Sequence, residues 1–272
     1  MAATLVRLLL VSLLAATAAS AATNSTHTQH HRRPPYNVHL LRHRTGAAGR
    51  HIPFINCLSW RLGVETNNIR DWHMVPRLCQ GYVGHYMLGR QYHNDCAAVA
   101  AAALRYLAGL RHVNKDGKDV WVFDIDETAL SNLPYYARAD VGFGAKAYNE
   151  TKFEEWVKEA KAPAMPETLR LYRRVLSMGI KVVFISATKE ELRPARVLNL
   201  HQSGFRIWES LILRERNETG GAVVEYKTRK RTELVKKGYR IVGNIGDQWS
   251  DLVGENVGFR TFKMPDPMYY VA

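Results

Sequence analysis

The chain has 272 residues, of which 46% are hydrophobic and 23% are charged. These values are typical of a globular protein with one large or two small domains, and they argue against a mostly disordered chain, a coiled coil or a multi-span membrane protein. The 38 basic and 25 acidic residues give a formal net charge of +13, which raises nucleic acid, an anionic membrane surface or phosphorylated substrates as candidate partners.

The N-terminus has the pattern of a secretory signal peptide. Arg7 supplies positive charge, and the apolar run Leu8–Ala16 is too short to span a bilayer. Ala19-Ser20-Ala21 then provides the small residues that signal peptidase requires. We therefore predict a signal peptide over residues 1–21, with a retained anchor helix as the alternative. No later segment approaches membrane-spanning length, so we expect a soluble secretory-pathway protein with no integral membrane association.

Residues 22–51 form a polar segment, rich in His and Arg, that we expect to be disordered or removed. Between His30 and His51 there are five arginines and no acidic residue. A solvated basic arm is the simplest interpretation, and an electrostatic anchor to a cell wall or membrane surface is the alternative. Because no nucleic-acid fold signature accompanies this segment, we predict no nucleic-acid partner.

Residues 52–272 are predicted to form the folded domain, and its first part, 52–115, a helical lobe attached to the core. The run Ala97–Leu110 favours a long helix whose small side chains allow close packing. All three cysteines, Cys57, Cys79 and Cys96, lie in this lobe. Secretion favours one disulfide, but three pairings stay open, and the remaining thiol is either buried or paired between chains.

The core, residues 116–272, alternates between apolar strands and amphipathic helices. The predicted strands are Val120–Phe123, Lys181–Ile185, Leu211–Leu213, Arg240–Val242 and Thr261–Phe262, and the predicted helices run from Pro166 to just before Gly179, over Glu191–Ser203 and over Thr228–Lys237. This alternation predicts an α/β fold, with a parallel sheet and helices on both of its faces. In such folds the functional site lies at the carboxyl ends of the strands.

Two carboxylates, Asp124 and Asp126, follow the first strand of this core. Like charges this close are costly without a proton or a cation, and Mg²⁺ prefers hard oxygen ligands. One carboxylate could then bind the metal and attack an electrophile while the other transfers protons. The alternative is a strand followed by an acidic turn whose carboxylates cap a helix.

Three further signals lie at similar places along the core. Asp247 and Asp251 follow the apolar strand that leads into Gly246, Ser186 directly follows another strand, and Lys227 precedes a predicted helix. Each has a structural explanation by itself, as a helix-capping carboxylate, a structural hydroxyl or a solvated lysine. Their occurrence together, and in this order, favours one common site.

Three tripeptides, which begin at Asn24, Asn149 and Asn217, are acceptors for N-glycosylation if the chain is secreted. Asn217 is the strongest of these candidates, because the following Gly220-Gly221 predicts an exposed turn. Asn149 is expected close to a folded surface, and Asn24 near the new N-terminus.

The order of the core signals resembles the haloacid dehalogenase (HAD) superfamily of phosphatases. Its four signatures match Val122–Thr128, Ser186, Lys227 and Gly246–Asp251. The chain is more similar still to the plant acid phosphatase and vegetative storage protein family, through Asp124–Tyr136, Pro166–Leu169, Tyr226-Lys227 and Gly243–Leu252. The likeness covers roughly Ile52 to the C-terminus, and it implies a Rossmann-like core with a small cap from the N-terminal lobe and residues 129–164.

The resemblance also implies catalytic and metal-binding roles. Asp124 would attack phosphorus to form an aspartyl-phosphate. Asp126 would protonate the leaving alcohol and then deprotonate the attacking water. Mg²⁺ would be held by the carboxylates of Asp124 and Asp247 and by the backbone carbonyl of Asp126.

Four other residues would support the reaction. Ser186 and Lys227 would bind the phosphoryl oxygens, and Thr128 would brace the loop. Asp251 would orient Lys227 or the water shell of the metal. One departure concerns the second signature, since family members commonly have Gly-Arg after its hydroxyl residue and this chain has Ala187-Thr188. Any substrate contact made by that arginine is lost.

We therefore expect a Mg²⁺-dependent acid phosphatase that hydrolyses phosphate monoesters and is located outside the cell, in the cell wall or in the vacuole. Two alternatives remain: a vegetative storage glycoprotein with little or no phosphatase activity, and a wall- or membrane-binding protein that uses the basic arm. Asp124, which some storage relatives have lost, is present. Association into a homo-oligomer is left open.

Overall fold

The computed structural model of the chain describes five segments: residues 51–52, 55–110, 113–114, 116–218 and 221–272. The predicted signal peptide 1–21, the glycosylation acceptor Asn24 and the predicted basic segment 22–51, apart from His51, lie outside these residues. Within the described segments, no helix is both long and apolar enough to cross a membrane.

A short hairpin and three helices begin the described chain. Strand β1 (His51–Ile52) pairs antiparallel with β2 (Ile55–Asn56), and helices α1 (Cys57–Glu65), α2 (Gln80–Met87) and α3 (Arg90–Gly109) follow. The side-chain oxygen of Asn56 accepts a hydrogen bond from the backbone N–H of Ser59 (3.0 Å). This bond satisfies one of the free N–H groups at the start of α1 and so caps the helix.

A disulfide joins Cys57, at the start of α1, to Cys79, directly before α2. This is one of the three pairings that the sequence left open, and it leaves Cys96 free and buried in α3. Helix α3 begins seven residues before the predicted Ala97. The reason is that Tyr92 and Cys96, one helical turn apart, are both buried on its inner face.

The rest of the chain alternates between strands and helices. In chain order these are β3 (Asp119–Phe123), α4 (Leu133–Tyr136), α5 (Glu150–Lys158), α6 (Pro166–Ser177), β4 (Lys181–Lys189), α7 (Arg193–Gln202), β5 (Ser210–Arg214), α8 (Val223–Lys236), β6 (Arg240–Gly246), α9 (Trp249–Leu252) and β7 (Thr261–Lys263). Strands β3 to β7 form one parallel sheet in the order β5–β4–β3–β6–β7. The predicted α/β fold is confirmed.

Helices cover both faces of this sheet. Trp121 and Phe123 of β3 pack on the face that α3 and α6 cover. Val120 and Val122, which point the other way, pack with Tyr226 of α8 on the opposite face. All five residues of β3 are buried. Because both faces are dry, the polar groups of a functional site have to lie at the strand ends.

Two element boundaries differ from the prediction at positions that bear on the site. Strand β4 continues as far as Lys189, which pairs with Arg214 of β5, so Ser186 lies within the strand and not after it. Helix α8 begins five residues earlier than predicted, so Lys227 lies in its second turn and not before it. Both side chains are therefore fixed by regular secondary structure.

Candidate active site

The carboxyl ends of β3 and β6 bring two of the acidic signatures together. Phe123 of β3 is paired with Ile245 of β6, and the backbone N–H of Asp124 donates to the carbonyl oxygen of Ile245 (3.0 Å). The loop after β3 begins with Asp124, and the turn after β6 begins with Asp247. These two carboxylates are therefore neighbours, although they are far apart in the sequence.

A tight turn follows Asp124. The backbone N–H of Leu130 donates to the carbonyl oxygen of Ile125 (2.8 Å), and Glu127 adopts a left-handed backbone conformation with φ of 50°. The Ile125 side chain is buried in the core, whereas Asp124 and Asp126 on either side of it line the same cavity. The turn thus presents two carboxylates to one space.

Lys227 projects from α8 toward two carboxylates. Its Nζ atom donates to Asp124 Oδ1 at 2.6 Å and also to Asp251 Oδ1, and all three side chains are buried. Burial acts to lower the pKa of Lys227, but the charges of Asp124 and Asp251 outweigh this effect and raise the pKa above its ordinary value. The ammonium form is therefore held at the end of β3.

Asp124, Asp247 and Asp251 form a buried carboxylate group, in which each places one oxygen within 4.8 Å of the others. Burial raises the pKa of Asp124 and of Asp247, and neighbouring carboxylates add to the rise, although Lys227 opposes it at Asp124. Three carboxylates beside one ammonium leave an excess of negative charge, which a divalent cation would neutralise. The hard oxygen donors suit Mg²⁺. The side chain of Asp126 is not part of this group.

The Asp126 side chain has its own partners. Nη2 of Arg196 donates to both of its carboxylate oxygens (2.6 and 2.8 Å), and Nδ2 of Asn132 donates to Oδ1 (2.7 Å). The Thr188 hydroxyl donates to Oδ2 (3.3 Å). Neither Arg196 nor Asn132 was expected from the sequence, because neither stands at a position that a signature marks.

The two predicted hydroxyl residues lie at the same edge of the sheet. Ser186 is buried, and its hydroxyl donates to the hydroxyl of Thr188 (2.9 Å) and accepts from the backbone N–H of Thr188 (3.0 Å). Oγ1 of Thr128 donates to Oδ1 of Asp247 (3.2 Å). Ser186 lines the cavity. Thr128 does not line it and contacts the carboxylate of Asp247 instead.

Glu127 lies beneath the loop and is fully buried. It accepts hydrogen bonds from the hydroxyl of Tyr92 (3.2 Å), on α3, and from the backbone N–H of Asn132. Burial, together with the charge of Asp247, raises the pKa of Glu127 to about 8. Although it lies within the first signature, Glu127 was given no role from the sequence. Its contacts tie the loop to the N-terminal helices and hold Asn132, which in turn contacts Asp126.

Asp124, Asp126, Ser186, Lys227 and Asp247 form the floor of a cavity of about 680 Å³. Its walls come from three separate parts of the chain. They contain Met74 and the aromatic side chains of His73, Tyr136, Tyr148, Phe153, Tyr269 and Tyr270. Oε1 of Gln248 accepts from the backbone N–H of Val271 (3.0 Å), while its Nε2 donates to Asp247 (2.8 Å). The wall from residues 269–271 was not expected from the sequence, and Gln248 links it to the floor.

The two described glycosylation acceptors are both exposed. The side-chain oxygen of Asn149 accepts from the backbone N–H of Lys152 (3.0 Å) and caps α5. Asn217 lies in the 3₁₀ turn Arg216–Glu218. Exposure makes both asparagines accessible to a modifying enzyme.

A family profile with the description "HAD superfamily, subfamily IIIB (Acid phosphatase)" matches residues 42–272. The chain is 42% identical to acid phosphatase 1 of Solanum lycopersicum, over 80% of this chain and 84% of that protein. It is 43% identical to vegetative storage protein 1 of Arabidopsis thaliana, over 82% of each. It is 41% identical to the stem 28 kDa glycoprotein of Glycine max, over 87% of this chain and 91% of that protein.

The fold is similar to that of the Class C acid phosphatase from Bacillus anthracis in its crystal structure with tungstate bound. The TM-score is 0.55 at 24% sequence identity, and the match covers 70% of this chain and 85% of that chain. The similar proteins thus include both phosphatases and storage proteins, the two main alternatives that the sequence raised.

Proposed function

The chain belongs to the HAD superfamily, subfamily IIIB (acid phosphatase), and on this basis we propose that it is a Mg²⁺-dependent hydrolase of phosphate monoesters. The observation that carries the proposal is the position of Asp124. Its carboxylate lies at the cavity floor, 2.6 Å from Nζ of Lys227 and beside Asp247 and Asp251. A nucleophile, a cation for phosphoryl oxygens and a set of hard oxygen donors thus occur in one cavity.

Asp124 acts as the nucleophile. One of its oxygens attacks phosphorus, the bond from phosphorus to the leaving oxygen breaks, and an aspartyl-phosphate forms. Asp126 gives a proton to the leaving oxygen and, in the second step, takes a proton from the water that hydrolyses the aspartyl-phosphate. The proposal is supported by the two side chains lining one cavity with different partners.

Lys227 and Ser186 bind the phosphoryl oxygens, where negative charge accumulates during transfer. Asp251 orients Lys227 through their ion pair. Thr128 braces Asp247 through the hydrogen bond from its hydroxyl. These contacts fix the charged groups before substrate arrives, which lowers the reorganisation that the reaction requires.

Mg²⁺ would be held by the carboxylates of Asp124 and Asp247 and by the backbone carbonyl of Asp126. When bound, it supplies positive charge that reduces the repulsion between the nucleophile and the phosphate. The buried carboxylate group supports this assignment, because its negative charge exceeds what Lys227 can neutralise.

A vegetative storage glycoprotein with little or no phosphatase activity is the second candidate. The identity to a vegetative storage protein and to a stem glycoprotein favours it. The presence of Asp124 and its pairing with Lys227 favour catalysis. Both functions agree with a secreted or vacuolar protein that has a signal peptide over residues 1–21 and glycans at the exposed Asn149 and Asn217.

The test is phosphate release from a panel of monoesters at mildly acidic pH, with wild-type protein and Asp124→Asn. Because an amide is a poor nucleophile, we expect kcat to fall by on the order of 10³-fold or more with little change in the melting temperature. Chelation should abolish turnover, and Mg²⁺ but not Ca²⁺ should restore it, since the larger ion tolerates more ligands and longer distances.

Wild-type protein that is folded and loaded with Mg²⁺ but inactive on the whole panel would favour the storage function. Turnover that survives in Asp124→Asn would contradict the covalent route. Turnover that survives exhaustive chelation would remove the metal from the mechanism.

A further inference from the structure

Arg196 is a buried arginine beside the cavity to which the mechanism above gives no role. It lies on α7, and its side chain is only 1% exposed. A buried guanidinium is costly unless its charge is paired and its donors are bonded. Its partners therefore indicate what it does.

All of the described hydrogen bonds of the Arg196 side chain go to two residues. Nη2 donates to Asp126 Oδ1 (2.6 Å) and Oδ2 (2.8 Å), and to Oγ1 of Thr188 (2.9 Å). Nε also donates to Oγ1 of Thr188 (3.1 Å). Charge-assisted hydrogen bonds of this kind are short and directional. They therefore restrict the rotation of the Asp126 carboxylate.

Without these bonds Asp126 would be less constrained than the nucleophile. Its side chain is 20% exposed, against 7% for that of Asp124, which the ion pair with Lys227 holds. Arg196 does not line the cavity, so it acts on the reacting atoms through its two partners, Asp126 and Thr188.

The residue at position 188 determines whether the side chain of Arg196, on α7, has room for its guanidinium. Thr188 has a short side chain, and its hydroxyl oxygen accepts a hydrogen bond from the Arg196 guanidinium (2.9 Å). A second guanidinium at position 188 would bring a like charge and extra volume to the same place. The residues at 188 and 196 are therefore coupled.

We infer that Arg196 is a positioning residue that orients Asp126 toward the leaving group, and that the short side chain of Thr188 leaves room for its guanidinium. This inference rests on the proposed phosphatase function. It concerns proton transfer to the leaving oxygen and leaves the nucleophile, Asp124, untouched.

The first experiment compares two substrates in the Mg²⁺-loaded enzyme. The alkoxide of glycerol phosphate needs a proton to leave, whereas p-nitrophenolate departs without one. General acid catalysis contributes about 10²–10⁴-fold, and kcat/KM reports only the steps up to departure of the leaving group, before the water attacks. We therefore expect Arg196→Gln to lower kcat/KM on glycerol phosphate about tenfold or more while changing kcat/KM on p-nitrophenyl phosphate less than about threefold. Arg193→Gln, which removes a partly exposed arginine of the same helix, is the matched control and should affect neither substrate.

The second experiment repeats Arg196→Gln in an Asp126→Asn background. If Arg196 acts through Asp126, the further loss on glycerol phosphate should be less than about twofold, because the group to be positioned is already gone. A purely structural role predicts the same proportional loss in both backgrounds and on both substrates.

The third experiment tests the coupling between positions 188 and 196. It also tests the inference if Arg196→Gln does not fold. The exchange variant, Thr188→Arg with Arg196→Thr, should turn over glycerol phosphate on the order of fivefold faster than Thr188→Arg alone, since it carries one guanidinium and not two. Arg196→Lys keeps the charge but loses the planar fork, and it should show the same substrate selectivity as Arg196→Gln to a smaller extent.

Equal losses on the two substrates, additivity with Asp126→Asn, or an exchange variant no better than Thr188→Arg would overturn the positioning role. In each of these cases an active wild-type enzyme would leave the proposed phosphatase function standing. A wild-type enzyme that releases no phosphate from either substrate would overturn the proposed function and this inference together.

Discussion

Asp126 and Asp247 both face the cavity, but their side chains have different partners. Arg196 binds the carboxylate of Asp126, whereas Asp247 belongs to the carboxylate group with Asp124 and Asp251. If Asp126 binds Mg²⁺ only through its backbone carbonyl, Asp126→Asn leaves that ligand in place. Asp247→Asn removes an anionic ligand from the ion.

We therefore expect Asp126→Asn to retain Mg²⁺ affinity within a few-fold and Asp247→Asn to lose more than the roughly 10- to 100-fold typical of an outer-shell partner. Calorimetric titration with Mg²⁺ measures the difference. On rates, Asp126→Asn should impair alkyl phosphates more than activated aryl phosphates, and Asp247→Asn should impair both about equally. Two variants with the same affinity and the same substrate profile would contradict this division of roles.

Glu127 makes the stability of the metal-free protein depend on pH. Its pKa rises from an ordinary 4.5 to about 8 in the folded state, mainly because it is buried. Since the folded-state pKa is the higher one, the stabilisation is complete below about pH 4.5 and is lost as the pH rises through 8. Glu127→Gln should reduce the decline in unfolding free energy across this window by up to about 1.4 kcal/mol per pH unit. Urea denaturation at several pH values, in the presence of a chelator, measures how the unfolding free energy declines. Glu155→Gln, at an exposed position on α5, is the control. If Glu127→Gln left the decline unchanged, its assignment to Glu127 would be contradicted.

For single residues, the sequence predicted the positions that belong to the four HAD signatures. The structure brings five of them to one cavity: Asp124, Asp126, Ser186, Lys227 and Asp247. Arg196 and the aromatic wall at Tyr269 and Tyr270 were missed. Their positions depend on how α7 and the last described residues pack against the sheet, and no local spacing encodes that packing.

At the scale of elements, the turn from β6 into α9 depends on Gly246. A methyl group at this position would overlap the side chain of Asp251, which binds Lys227. Gly246→Ala should therefore lower kcat by about 10²-fold through misplacement of these charges, and should cost about 1–3 kcal/mol of stability through overpacking.

Gly109→Ala, at the end of α3, is the matched control, because an added methyl there meets no atom within 4 Å. It should leave activity unchanged and stability unchanged or slightly higher. Turnover of p-nitrophenyl phosphate and denaturant unfolding measure both effects. Normal turnover by folded Gly246→Ala would show that the close approach of Asp251 is not required.

Most elements could be predicted, because apolar strands and amphipathic helices differ in their periodicity. The boundaries at Ser186 and Lys227 could not, since β4 is extended by pairing with β5 and α8 begins where its buried Tyr226 can pack on the sheet. The choice of Cys57 and Cys79 for the disulfide likewise depends on the approach of α1 to α2, which is a tertiary contact.

At the scale of the whole molecule, binding of a metal ion to the proposed site would make the stability gained from the ion depend on pH. Burial raises the pKa of Asp124 and Asp247 above the ordinary 3.8, so protons compete with a metal ion for the same oxygens at acidic pH. The rise in melting temperature caused by a fixed Mg²⁺ concentration should increase from about pH 4 to pH 7, since affinity grows up to about tenfold per pH unit for each proton released.

Thermal unfolding with and without Mg²⁺ across this range measures the effect. Asp247→Asn should flatten the increase, because one of the competing carboxylates is gone. A Mg²⁺-induced shift that is constant or falls with increasing pH would be inconsistent with a site built from these carboxylates.

The strand order also sets the sequence of events during synthesis. The central strand β3 lies between β4 and β6, and β6 begins 121 residues after β3 does. At translation rates of about 5–20 residues per second, β6 follows β3 after roughly 6–24 s. During that interval one edge of β3 has no strand beside it, so its backbone N–H and C=O groups are unpaired next to the apolar side chains of Trp121 and Phe123. Such an edge is a site for aggregation or for chaperone binding. Asp124 is thus made long before the residues that complete its surroundings, and a nascent chain has no assembled site until residues 247–271 have been made.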